Sequence, residues 1–138
     1  MGKSIDQMEI GDKASFTKTV TEADVVNYAG VTGDFNPAHI NEEYAKKTMF
    51  KGRIAHGMLG AGFISAVLGT KLPGPGAIYI SQDLQFTAPV KINDTVTATA
   101  EVIEKDEEKN KVTIKTTCKN QEEKVVIKGE AVLMPPKK

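Results

Sequence analysis

Asp34, Asn36 and His39 fall within the eight residues GDFNPAHI, Gly33 to Ile40, which hold one of only two histidines in the chain. An aspartate and an imidazole sharing one water form an acid/base pair able to take a proton and return it. The neighbours suit that use. Gly33 allows a bend, Pro37 fixes its own φ and keeps Asn36 extended, and Asn36 can cap the helix that follows. A corner of this kind holds Asp34 and His39 at a set angle, as a flexible loop would not. A plainer reading stands beside it: Asp and Asn near a helix start usually cap it, and a lone His on a short helix is usually a surface or satisfied core residue. Spacing alone leaves both open.

The second histidine lies in GRIAHGMLGAGF, directly before an apolar run. His56 and Gly57 fall at the start of the helix expected there, where backbone N–H groups lack intrahelical partners and the dipole favours negative charge. Without a Cβ, Gly57 lets an acyl oxygen approach its N–H, which suits an oxyanion site. Equally, Gly57 can permit close packing while His56 caps the helix. Taken together, the two segments supply parts for chemistry beside a carbonyl: an acid/base pair and a donor for the enolate-like oxygen that forms when an α-proton moves. No P-loop, GxGxxG, HExxH or paired CxxC occurs, so phosphoryl, hydride and zinc chemistry have no support.

The elements that must position these residues divide the chain in two. In the first half, Thr21 with Glu22 and Asp24 behind it reads as a helix N-cap, and Gly33 ends that helix. A second short helix is expected after Pro37, running through NEEYAKKTMF. The third, HGMLGAGFISAVLG, is apolar on nearly every face and is expected to be buried on all of them. In the second half the period changes to two. Ile78, Ile80, Leu84 and Phe86 alternate with polar residues as one long strand. Val96 to Val102, Val112 to Cys118 and Val125 to Leu133 repeat the pattern.

Turns rich in Asn, Asp and Pro separate these strands, and the charge run EKDEEKNK reads as a solvated hairpin tip. The glycines and prolines of LGTKLPGPGAIY read as a linker. DKASFTKTV adds a shorter strand. Short connections make the strands antiparallel. A sheet with one apolar face and a helix with no polar face satisfy each other if the sheet curls around the helix, which gives an α+β hot-dog fold. The open sheet edge then calls for a homodimer, or a higher oligomer built from it.

With 138 residues, 40% of them hydrophobic, one core and one domain over 1–138 are expected. Lys+Arg and Asp+Glu balance at 18 each, so no global field draws nucleic acid or a membrane surface. No apolar run suits a secretory signal or a membrane span, and a cytoplasmic protein is expected. Cys118 is the only cysteine, which leaves no internal disulfide or Cys-based metal cluster, and its place on an alternating strand reads as a small buried hydrophobe. No metal is expected.

TGDFNPAHINEEYA followed by FKGRIAHGMLGAGFISAVLGTKLPGPGAIYISQDLQFTAPV closely resembles the MaoC-like (R)-specific enoyl-CoA hydratase family, in its short single-hot-dog bacterial form. The resemblance covers essentially the whole chain and implies reversible addition of water to a trans-2-enoyl-CoA, with the acyl-CoA as substrate and no cofactor. It implies Asp34 and His39 as the catalytic pair and the Gly57 N–H as the donor that polarises the thioester carbonyl. Asn36, Ser65 and His56 take supporting roles. Ala38 departs from the larger aliphatic residue common there but removes no reacting group. A basic rim of Lys46, Lys47, Lys51 and Arg53 could receive CoA phosphates or the acidic surface of an acyl carrier protein. A carrier-protein dehydratase is therefore the nearest alternative, ahead of a thioesterase or a non-catalytic acyl-thioester binding module.

Overall fold

The computed structural model describes residues 1–138. In chain order the elements are β1 (Lys13–Thr19), α1 (Glu22–Thr32), α2 (Pro37–Ile40), α3 (Glu42–Ala45), α4 (Gly57–Thr70), β2 (Ile78–Gln82), β3 (Gln85–Phe86), β4 (Thr95–Asp106), β5 (Lys111–Lys119) and β6 (Val125–Met134). The strands form one antiparallel sheet in the order β1-β4-β5-β6-β2, with β3 also on β6.

Alternation along the long strands decides which face is covered. Val96, Ala98, Ala100 and Val102 of β4, Val112, Ile114, Thr116 and Cys118 of β5, and Ile127, Ala131 and Leu133 of β6 are all buried. Against them lie Phe63, Ile64, Val67 and Leu68 of α4. The sheet wraps the helix in the hot-dog arrangement, and each such side chain withdrawn from water stabilises the fold by about 1.5–3 kcal/mol. Thr116, the polar residue in this row, is satisfied because its Oγ1 accepts from Gln82 Nε2 at 2.9 Å. The charged turn between β4 and β5 and the Asn120 turn between β5 and β6 form hairpin tips, as the sequence implies.

Three expectations change. The long strand from Ile78 is interrupted at Asp83 and Leu84, and its register on β6 shifts between Tyr79 and Ser81. Gly129 of β6 explains the break. A Cβ there would lie 1.9 Å from the Asp83 carbonyl oxygen, so only a glycine lets that backbone dip in, where Asp83 N–H reaches Glu130 O at 3.0 Å. The helix expected through Phe50 is instead two short ones. Asn41 ends α2 and caps α3, its side chain accepting from Tyr44 N–H at 3.0 Å. Finally, α4 is buried only toward the sheet: Met58, Gly62 and Ser65 face outward, beside the exposed Ile78, Tyr79 and Ile80 of the edge strand β2.

Candidate active site

Asp34 and His39, the catalytic pair expected from the sequence, stand on a corner whose turns are set by side chains. Thr21 caps α1 in a reciprocal box with Asp24, and Gly33 closes the helix at φ 82°, a left-handed geometry that glycine adopts freely. Thr32 Oγ1 then accepts from Asp34 N–H at 3.1 Å, Asp34 Oδ1 from Asn36 N–H at 3.2 Å, and Asn36 Oδ1 from Ala38 N–H at 3.0 Å. Asn36 is thus the cap of α2 that the sequence indicates. His39 sits one turn on.

A second segment, Arg53 to His56, clasps this corner. Ile54 N–H donates to Ala38 O at 3.2 Å. His39 Nδ1–H donates to Ile54 O at 2.8 Å, and Arg53 Nε–H donates to His39 O at 2.6 Å. His56 Nε2–H donates to Asp34 O at 2.9 Å. Since a carbonyl only accepts, these bonds fix both tautomers, and neutral His39 presents the lone pair of Nε2. His56 is 3% exposed and sits between the rings of Tyr28 (4.7 Å) and His39 (3.9 Å); its Nδ1 has no partner. It occupies the N-cap position of α4 without a side-chain cap bond, which corrects the capping reading.

The structure therefore gathers Asp34, His39 and His56, with one potential ligating atom of each within 4.8 Å of the others. The sequence shows no such cluster, because His56 lies on a different element. Nδ1 of His39 and Nε2 of His56 are each committed to a backbone carbonyl, which leaves one nitrogen of each ring free.

Beside the histidines, α4 begins at Gly57, whose N–H is taken by no backbone or side-chain acceptor. A Cβ on Gly57 would lie 2.8 Å from the Phe86 ring, so the bare backbone is what lets Phe86 close over it. His39, His56, Gly57 and Phe86 line a cavity of about 500 Å³. Buried Val20, Phe63, Val96 and Ile127 form its inner wall, while exposed Met49 and Phe86 stand at its mouth. Apolar walls with a few polar groups at one end are what an acyl chain with a reactive head requires. Ser65 lies apart, on the open face of α4 with Met58, Gly62 and Tyr79.

The basic rim is smaller than the sequence suggests. Lys46 pairs with Glu43 at 2.7 Å, and Arg53 forks onto both Glu22 carboxylate oxygens at 2.8 Å. Tyr28 and Phe86 are site neighbours that sequence reasoning missed, and Arg53, expected on the rim, turns instead to His39 and Glu22. The spacing of Tyr28 before Asp34 and of Arg53 before His56 was visible, but nothing local says which way either side chain turns.

Residues 6–124 match the family described as the MaoC-like domain. A Rhodospirillum rubrum protein named (R)-specific enoyl-CoA hydratase is 58% identical over 131 residues, spanning 95% of this chain and 90% of that protein. A mitochondrial 3-hydroxyacyl acyl-carrier-protein dehydratase of Arabidopsis thaliana is 38% identical over 132 residues, spanning 94% and 78%. The unliganded R-hydratase of Pseudomonas aeruginosa superposes with a TM-score of 0.94 at 45% identity, covering 99% of this chain and 88% of that one. With most of its length matched by the family and a relative this similar across nearly all of it, the chain belongs to the MaoC-like domain family.

Proposed function

We propose that this protein is an (R)-specific enoyl-CoA hydratase, which adds water reversibly to a trans-2-enoyl-CoA and yields the (R)-3-hydroxyacyl-CoA. The observation that carries the reading is that His39, His56 and Gly57, with its free N–H, line the polar end of one apolar cavity, while Asp34 stands within 4.8 Å of both histidines. In the proposed reaction Asp34 and His39 hold a water. One takes its proton as the oxygen bonds to C3, and C2 receives a proton on the same face. The electron pair leaving the double bond places charge on the thioester oxygen, which the Gly57 N–H and the α4 dipole stabilise. Only the elements of water move, so the reaction as written requires no metal and no redox cofactor.

Which of Asp34 and His39 is base and which is acid is decided by comparing the pH–rate profiles of the wild type and the two single variants. Asn36 serves by holding the corner. A supporting part for Ser65 depends on a second copy, since it lies on the α4 face that a partner would cover. The proposal includes that homodimer, supported by the exposed apolar row of Met58, Ile78 and Ile80 beside the open β2 edge. It also includes a cytoplasmic location: the only thiol is free and buried, and no helix is long and apolar enough to cross a membrane.

Action on carrier-protein substrates is the second reading, favoured by the Arabidopsis relative, though the hydratase named for CoA is the more similar of the two. Rates on matched enoyl-CoA and enoyl-carrier-protein substrates decide between them. The proposal expects a higher kcat/KM on CoA; a preference for the carrier protein would overturn that part.

A further inference from the structure

We propose that Arg53 is a positioning residue for the hydration, which orients His39 and ties it to the helix that leads to Asp34. The inference rests on the hydratase reading and goes beyond it. Arg53 lies outside every helix and strand, in the segment that clasps the catalytic corner. Its side chain is only 15% exposed. Nε–H donates to the backbone carbonyl of His39 at 2.6 Å, and Nη1 donates to both carboxylate oxygens of Glu22 at 2.8 Å.

Glu22 is the first residue of α1, and α1 ends at Gly33, directly before Asp34. One planar guanidinium therefore joins the backbone of one reacting residue to the helix that ends at the other. Its rigid fork makes this possible, and a lysine, with a single rotating ammonium, cannot reproduce it. The next residue reinforces the same contact, since Ile54 O receives His39 Nδ1–H. Removing Arg53 leaves His39 held by its ring and by its N–H on Asn36 O, with its carbonyl no longer anchored. A displacement of about 1 Å of a reacting group costs on the order of 10²-fold in rate.

The rival role is phosphate binding at the cavity mouth, and the two make opposite kinetic forecasts. Arg53→Met, Arg53→Lys and Glu22→Ala are compared with the wild type on crotonyl-CoA and on crotonyl-pantetheine, which lacks the nucleotide phosphates. Each is also measured in a His39→Ala background. Positioning predicts that Arg53→Met lowers kcat about tenfold or more on both substrates, with KM little changed. Arg53→Lys does not restore it, and Glu22→Ala shows a smaller loss in the same direction. In the His39→Ala background the same changes alter the residual rate by less than about twofold, because the group they position is gone. Glu22 is 59% exposed, so Glu22→Ala keeps the test available should Arg53→Met fail to fold.

A rise in KM confined to crotonyl-CoA would overturn the inference in favour of phosphate binding. An equal loss with and without His39 would overturn it in favour of general stability. An inactive wild type would instead contradict the hydratase reading.

Discussion

The imidazole of His39 lies on that of His56, ring centroids 3.9 Å apart and planes inclined by 30°, while His56 Nε2–H holds the Asp34 carbonyl at 2.9 Å. A buried histidine thus touches one of the two proposed catalytic residues with its face and the other with its edge. His56→Gln keeps a donor near the Nε2 position and loses the stack; His56→Phe keeps a ring and loses the donor. Each is expected to lower kcat about tenfold with a small change in KM, since both reacting groups must be held at once. Steady-state kinetics on crotonyl-CoA check this. Wild-type rates in both variants would show that the ring only fills space.

Gly57→Ala is expected to cost activity at two points. The new methyl meets the Phe86 ring, which must shift, and it stands beside the N–H proposed to donate to the thioester oxygen. A loss of about tenfold or more in kcat is expected, within the range for weakening one oxyanion donor. Pairing it with Phe86→Ala relieves the clash, so thermal stability should return in the double variant while the rate should not.

The parts of this site that the sequence displays are the ones made locally. Thr21, Asn36 and Gly33 act on backbone groups within four residues, and β5, like β4 as far as Val102, alternates because one face is covered. What stays hidden is set across the chain. The interruption at Asp83 depends on a glycine in β6. The split at Asn41 follows from one side chain that both ends and starts a helix, which propensity does not separate from a continuing one. Arg53 reads as a surface cation until the fold brings Glu22 and His39 to it. The apolar circumference of α4 was visible as such, yet composition could not say which side meets its own sheet and which faces out.

That outward side gives a prediction about assembly. Met58→Asp places a charge on the open α4 face, where it should not disturb the sheet-facing core. If a second copy covers this face, sedimentation should show the wild type as a dimer and the variant shifted to monomer, because an unpaired charge in a dry interface is costly. A monomeric wild type at micromolar concentration would contradict the dimer.

Burial pushes the Cys118 thiol up to about 12 from an ordinary value of 9.0, and its Sγ points at Gly60 O, 3.7 Å away. Below about pH 9 the thiol is protonated folded and unfolded, and its contribution is intact. Between about 9 and 12 the unfolded chain releases the proton and the folded chain holds it, so stability falls as pH rises. Urea titrations at pH 8 and 10.5 should show a larger loss for the wild type than for Cys118→Ala. A thiol reagent should label Cys118 only after denaturation.

Ile114 is fully buried in the middle of β5, facing α4. Ile114→Ala should lower the unfolding free energy by about 2–5 kcal/mol through the lost contacts and the cavity left behind. Equilibrium denaturation measures it, and a loss below about 1 kcal/mol would mean that the core is looser than its burial indicates.

The central claim is that Asp34 and His39 together add water to one face of an enoyl thioester. Its most direct measurement is the configuration and rate of 3-hydroxybutyryl-CoA formed from crotonyl-CoA by the wild type, Asp34→Ala and His39→Ala. The account predicts the (R) product from the wild type and a fall in kcat on the order of 10²-fold or more in each folded variant. Formation of the (S) product, or wild-type rates in both variants, would contradict it.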